Sequence, residues 1–155
     1  MWEIERKFLV DHLPPALDTL GAVAIRQGYL SVEPEREVRI RDQAGHHTLT
    51  VKQGRSLCRQ ETEVVLATEQ FQALWPCTEG RRLEKVRHGC QWQGAEVCID
   101  VYGAELAGLV IAEVEFASPD ASEAFVPPPW VGEEITAIGD YFQLQSVLAR
   151  QRARG

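Results

Sequence analysis

Like-charged side chains two residues apart recur along this chain: Arg39 with Arg41, Lys85 with Arg87, Glu61 with Glu63, and Glu113 with Glu115. Glu3 and Glu5 make a further acidic pair, followed in phase by Lys7. In an extended strand, residues two apart point to the same face, so each pair becomes a stripe of one sign. Like charges at about 6–7 Å repel by a few tenths of a kcal/mol in water, and by several times more in a low dielectric. A sheet that keeps so many of these pairs needs a ligand to balance them. Clustered carboxylates suit a hard divalent cation such as Mg²⁺ or Mn²⁺, which takes oxygen ligands and keeps some waters. Clustered Arg and Lys suit phosphate oxygens, and Arg can bind two at once. Both sets on one surface match a polyphosphate chelated by metal ions. The alternative is a sheet whose polar face meets water, but solvated faces usually mix signs within each strand and carry Ser, Thr and Asn.

Period-two alternation places these groups and predicts eight strands, at 2–10, 24–32, 36–42, 47–53, 59–66, 82–89, 95–101 and 110–117. The first puts Glu3, Glu5 and Lys7 opposite Trp2, Ile4 and Phe8. The third aligns Glu37, Arg39 and Arg41 against Val38 and Ile40, and the fourth sets Thr48, Thr50 and Lys52 against Leu49 and Val51. Glu61 and Glu63 share a face on the fifth, Lys85 and Arg87 on the sixth. Glu96, Cys98 and Asp100 follow on the seventh, then Glu113 and Glu115 on the eighth. Gly45, Gly54 and the segment from Gly89 to Gly94 supply turns.

Helices are expected at 12–20, at 68–75 with Thr68 as N-cap and Pro76 as stop, and at 119–125 after Ser118. A fourth, 140–152, carries Leu144, Val147, Leu148 and Gln151 on one side, and Pro127 to Pro129 reads as an extended connector. The expected fold is α+β, a single domain over 1–155. It is an eight-stranded antiparallel β-barrel, closed or nearly so, with charged side chains inside and helices packed outside on its apolar face.

The 155 residues carry a net charge of -7, which disfavours a nucleic-acid partner held by phosphate-backbone contacts. No apolar run reaches the roughly 18 residues needed to span a bilayer, so no membrane role is expected. The opening MWEIERKFLV lacks a secretory apolar region, and a cytoplasmic location is expected. Cys58, Cys77, Cys90 and Cys98 show no metal-ligand spacing and are expected to be reduced and mostly buried. His12, His46, His47 and His88 pair with no acid and nucleophile at a recognisable spacing, and no glycine-rich phosphate loop is present.

Glu3-Ile4-Glu5-Arg6-Lys7 matches the ExExK signature of the CYTH superfamily, the triphosphate tunnel metalloenzymes. It is followed in order by EVRIR (37–41), TLTVK (48–52), RQETEV (59–64), RRLEKVR (81–87), the aspartate of CIDVY (98–102) and AEVEF (112–116). The chain resembles the family along essentially its whole length, and most closely its short single-domain bacterial members. The resemblance implies an antiparallel tunnel that hydrolyses or cyclises triphosphates with Mg²⁺ or Mn²⁺. It implies metal-site acids at Glu3, Glu5, Glu113 and Glu115, with Glu63 and Asp100 nearby and Glu61 a weaker candidate. It implies a phosphate-binding wall of Lys7, Arg39, Arg41, Lys52, Lys85 and Arg87, with Glu5, Lys7, Arg87 and Glu115 closest to the chemistry. One metal is expected to bridge phosphate oxygens, while a second metal or an acid activates the attacking water.

Two features complicate the match. Many relatives carry a lysine in the C-terminal helix, whereas 140–145 here reads DYFQLQ, leaving Arg150 or Arg152 as substitutes. Gln27 and Tyr29 share a face, so Tyr29 points either into the tunnel near Lys7 or onto the outer surface. The expected substrate is a small triphosphate, with inorganic tripolyphosphate favoured because no aromatic pair is obviously placed to stack a base or a thiazolium ring. Thiamine triphosphate, ATP cyclised as by class IV adenylate cyclases, and a polyphosphate-binding module with little catalysis stand as alternatives. The residues leave oligomeric state open.

Overall fold

The alternating segments pair into one antiparallel sheet, seen in a computed structural model that describes every residue except 15, 16, 18–20, 55 and 56. In chain order the strands are β1 (Trp2–Val10), β2 (Ala22–Glu33), β3 (Arg36–Gln43), β4 (His46–Gln53), β5 (Cys58–Leu66), β6 (Arg82–Trp92), β7 (Ala95–Gly103), β8 (Val110–Glu115) and β9 (Val131–Glu134). Spatial order runs β5-β4-β3-β2-β6-β7-β8-β1, and β1 returns to β5 through Trp2 with Gln60, Glu3 with Arg59 and Ile4 with Cys58. That contact closes eight strands into a barrel. It lasts only three residues; further along the same edge of β1, β9 takes over opposite Phe8 and Val10. The expected barrel is therefore present. β9 was not expected, because a four-residue strand containing two glutamates has no pattern of its own and exists by pairing with β1.

Outside the barrel, Val97, Ile99, Ala112 and Val114 project from β7 and β8 into a core shared with Val10 and Leu17, packed against Phe116, Phe125 and Trp130. Arg6, an outward residue of the signature, clamps this layer. Its guanidinium donates to the carbonyls of Ser122 (2.8 Å) and Phe125 (3.2 Å) and pairs with Glu134 at 2.7 Å.

Inside, the rows change character with depth. Lys7 gives way to Leu9, Glu113 to Ile111, Asp100 to Tyr102, Lys85 to Leu83 and Gln27 to Tyr29. The apolar members form a second buried core with Leu106, Leu109, Ile135 and the helix α3 (Tyr141–Arg154). Tyr141, Leu144, Val147 and Leu148 of α3 are all buried there. At roughly 1.5–3 kcal/mol per buried aliphatic side chain, this plug accounts for a large share of the helix's attachment. The barrel is thus a cup, stoppered at one end by α3.

The other two α-helices sit at strand connections. In α1 (Thr68–Leu74) the N-cap is Ala67, not Thr68 as expected, because Gln70 Oε1 reaches back to accept from the Ala67 N–H at 2.8 Å. Pro76 does not end the chain's helical path; it sits early in a 3₁₀ turn, Trp75–Thr78. In α2 (Pro119–Ala124) Ser118 caps through the Ala121 N–H as its sequence suggests. The helix expected over 12–20 falls largely outside the described residues. The four cysteines are unpaired but not buried as expected: Cys77 is exposed and the others are half-buried. Among the described residues, no helix is long and apolar enough to cross a membrane.

Candidate functional site

The charged rows converge on a narrow cavity of about 70 Å³. Its lining includes Glu3, Glu5, Lys7, Arg39, Arg41, Lys52, Glu61, Glu63, Lys85, Arg87, Glu113 and Glu115, together with Gln27, Tyr29, Gly139 and Leu144. The convergence follows from closure: rows that are separate stripes on a flat sheet face one another once β1 meets β5.

Acids gather at the open end. Carboxylate oxygens of Glu3, Glu5 and Glu115 all lie within 4.8 Å of one another, with Glu5 buried, Glu3 half-buried and Glu115 exposed. Burial and the neighbouring charges of Glu3 and Glu5 push the Glu115 carboxyl above its usual range. The Glu3 carboxyl is also raised, by burial and by its hydrogen bond with Glu61, against the pull of Lys52. Lys52 reaches into this group, its Nζ lying 2.8 Å from Glu3, 3.6 Å from Glu61 and 3.9 Å from Glu5. Three crowded carboxylates form an oxygen-donor set that a hard divalent cation fits.

The bases form two walls. On β6, Lys85 meets Asp100 at 2.8 Å, and Arg87 meets both Asp100 (2.7 Å) and Glu113 (3.0 Å). Asp100 has no exposed surface, yet its carboxyl stays below the usual range, because Lys85 and Arg87 outweigh the cost of burial. Glu113 is likewise held well below that range against its burial, by Lys85, Arg87, Lys7 and Lys52. On β3, neither Arg39 nor Arg41 has an ion-pair partner among the described residues. The Arg39 Nε is buried without a hydrogen bond, and Arg41 donates from Nε only to the amide oxygen of Gln27, at 3.0 Å. Burial and the nearby charges of Arg39 and Arg87 push Arg41 down to about 10. Lys7 sits between acids and plug, with Nζ 3.2 Å from Glu5 and 3.3 Å from the Ile138 carbonyl.

The structure therefore separates the expected acids into groups. Glu3, Glu5 and Glu115 come together; Asp100 and Glu113 lie against the cations of β6. Glu63 is exposed and accepts from the Thr50 hydroxyl at 3.3 Å. Arg150 pairs with Glu133 and Arg152 donates to the Ala107 carbonyl, so neither lines the cavity in place of the missing lysine. What the C-terminal segment supplies instead is backbone at Ile138 and Gly139. A Cβ on Gly139 would fall 2.9 Å from Lys7 Nζ, so a side chain there would push the lysine head aside. Tyr29 points inward, fully buried, donating to the Gly139 carbonyl at 3.2 Å. Glu37 and Arg59 were not singled out from sequence, although both are in phase with their rows; they form an ion pair at 3.0 Å beyond Arg39.

The CYTH domain family matches residues 1–147. The chain belongs to this family. It is 46% identical over 138 residues to an inorganic triphosphatase of Nitrosomonas europaea, a match covering 88% of this chain and 90% of that protein. It is 36% identical over 152 residues to an inorganic triphosphatase of Acetivibrio thermocellus, covering 96% and 93%. A crystal structure of the inorganic triphosphatase NE1496 superposes with a TM-score of 0.66 at 42% identity, over 94% of each chain. The PH1012 protein of Pyrococcus horikoshii, at 16% identity and a TM-score of 0.58 over 87% of this chain and 97% of its own, shares the fold. Membership of this CYTH family implies a divalent metal requirement, and the Glu3, Glu5 and Glu115 set is chemically suited to it.

Proposed function

We propose that this CYTH protein hydrolyses inorganic tripolyphosphate to diphosphate and orthophosphate, with Mg²⁺ or Mn²⁺ held by Glu3, Glu5 and Glu115. The observation that carries the reading is the pair Arg39 and Arg41. Two half-buried guanidinium groups with no direct ion pair among the described residues line the same cavity as a cluster of carboxylates. A polyanion chelated by a divalent cation relieves both imbalances at once. The two triphosphatase relatives support the same substrate class. A single domain over 1–155 carries the activity.

When bound, the cation neutralises and polarises phosphate oxygens. The chain's own groups do the rest. Arg39 and Arg41 hold the phosphates, and Lys7, Lys52, Lys85 and Arg87 complete the basic surround. Glu5 and Glu113 fix the heads of Lys7 and Arg87. Water attacks the terminal phosphorus, the bond to the bridging oxygen breaks, and diphosphate leaves with the bonding pair. The charge it carries away develops against the arginines of β3. Tripolyphosphate is favoured over thiamine triphosphate and ATP because the aromatic rings lining the cavity are engaged. Tyr102 is buried beneath the Lys85 ammonium at 5.5 Å, and Tyr29 is fully buried, so neither offers a free stacking face.

Phosphate release with each metal, measured on tripolyphosphate beside thiamine triphosphate and ATP, tests the reading. Glu5→Gln is expected to lower turnover by about 100-fold or more. Near wild-type metal-dependent turnover in that variant would remove Glu5 from its role. Diphosphate released from ATP would indicate a cyclase, and saturable binding without release a binding module.

A further inference from the structure

The inward row of β3 reads Arg41, Arg39, Glu37, and it crosses from one cavity into another. Arg41 and Arg39 line the central cavity, whereas Glu37 lines a side chamber of about 370 Å³ behind it. Lys7 and Glu5 border both spaces. A phosphate chain lying along the arginines therefore points at a carboxylate as it leaves the central cavity.

That carboxylate is placed unusually. Glu37 is 3% exposed; its Oε1 accepts from Arg59 at 3.0 Å, while its Oε2 is buried with no hydrogen-bond partner. Arg39, Arg59, Lys52 and Lys7 surround it closely enough to keep the carboxyl ionised against the cost of its burial. It is an anion among cations, standing where a further phosphate would otherwise find four positive groups. At the opposite end of the track the acids are three and lie within 4.8 Å of one another, so a divalent cation can turn them from repulsive to attractive. Among the described residues, Glu37 belongs to no such cluster.

We propose that Glu37 is the length stop of the phosphate track: its charge turns away linear polyphosphates with a fourth phosphate, although the chamber behind it has room for one. The inference rests on the tripolyphosphate reading of the same site. A like charge met in a partly desolvated cavity is expected to weaken a longer chain by about tenfold or more. The stop is electrostatic and not steric, so an isosteric amide should release it.

The experiment compares kcat/KM for tripolyphosphate and tetrapolyphosphate in the wild type, Glu37→Gln and Arg59→Gln, with the same divalent metal throughout. The wild type is expected to prefer tripolyphosphate at least tenfold. Glu37→Gln should shrink that preference at least tenfold, through a lower KM for tetrapolyphosphate. Arg59→Gln removes one of the four cations that offset the carboxylate and should keep or enlarge the preference. Should Glu37→Gln fail to fold, Glu37→Asp keeps the charge, withdraws it by one methylene and is expected to relax the preference part-way. Equal use of both substrates by the wild type overturns the proposal. So does a preference in Glu37→Gln within twofold of the wild type, an unchanged preference in Glu37→Asp where that variant stands in, or an equal relaxation in Arg59→Gln. A wild type inactive on tripolyphosphate would instead overturn the parent reading, so the two failures are told apart.

Discussion

The two basic walls of the cavity are built on different principles. On β6, Lys85 and Arg87 are locked by Asp100 and Glu113 in a hydrogen-bonded cluster that is complete before any ligand arrives. On β3, Arg39 and Arg41 project into the same space with no carboxylate between them. The first wall is a fixed electrostatic surface whose geometry is set during folding. The second makes no direct ion pair, Arg39 being offset only through space, chiefly by Glu37, and it is the part that gains most when a polyanion enters. Preorganisation and affinity are thus assigned to different strands.

Opposite signs of stability follow. Asp100→Asn removes the anion from the buried Lys85 and the half-buried Arg87 and is expected to destabilise the fold by roughly 3–5 kcal/mol, the usual cost of breaking one side of a buried ion pair. Arg41→Gln removes a cation that has no counter-ion. It is expected to be neutral or stabilising by up to about 1 kcal/mol while weakening tripolyphosphate binding. Paired thermal or denaturant melts of the two variants read this directly. Two variants that destabilise alike would erase the distinction between the walls.

The two lysines Lys85 and Lys7 should also separate with pH. Burial, helped by the charges of Arg87 and Arg41, outweighs the pull of Asp100 and Glu113 and brings the Lys85 ammonium down to about 8. The Lys7 ammonium moves the other way, up, because Glu5, Glu113 and Glu37 outweigh its burial. Of the two, Lys85 loses its charge just above neutrality, and kcat/KM should fall about fivefold between pH 8 and 9. The stability contribution has the reverse sign. With a folded value near 8 and an unfolded value near 10.5, the unfolded chain binds more protons in that window, so this group's contribution to stability rises with pH across it. Activity that stays flat to pH 9.5 would show that the β6 wall works without Lys85's charge.

Strand period carried most of this arrangement in the sequence itself. A charged residue every second position leaves little freedom over which face a strand turns to a closed interior, and the rows from Glu3 to Lys7 and from Arg39 to Arg41 were legible for that reason. Alternation specifies a face and not a depth. Nothing in it marks where Lys7 yields to Leu9, or Glu113 to Ile111, so the plugged end of the cup was hidden. Nor does it say which acids meet. Glu115 joins Glu5 across the β1–β8 pairing, while Glu113, its neighbour in the same row, is drawn away by Arg87. β9 was illegible because its partner makes it a strand. Tyr29 was ambiguous from sequence because its ring suits either face, and its direction is decided by a hydrogen bond to Gly139, 110 residues away.

That hydrogen bond supports the smallest expected effect. The Arg41 Nε–H donates to Gln27 Oε1, Gln27 Nε2–H donates to the Tyr29 oxygen, and the Tyr29 hydroxyl donates to the Gly139 carbonyl. Arg41 can only donate, so the side-chain amide of Gln27 turns its oxygen to Arg41 and its nitrogen to Tyr29. Arg41 is thereby aimed by the turn that precedes α3, although no carboxylate holds it. Tyr29→Phe removes the tyrosine's two hydrogen bonds and leaves a buried amide donor and a half-buried carbonyl unpaired, a loss of roughly 1 kcal/mol in stability. Arg41 keeps its charge and loses its aim, so KM for tripolyphosphate should rise about threefold with kcat little changed. Gln27→Met breaks the chain one link earlier and should produce the same shift in KM. If Gln27→Met leaves KM untouched while Tyr29→Phe raises it, the tyrosine acts on something other than Arg41, and the β3 wall is held by its strand alone.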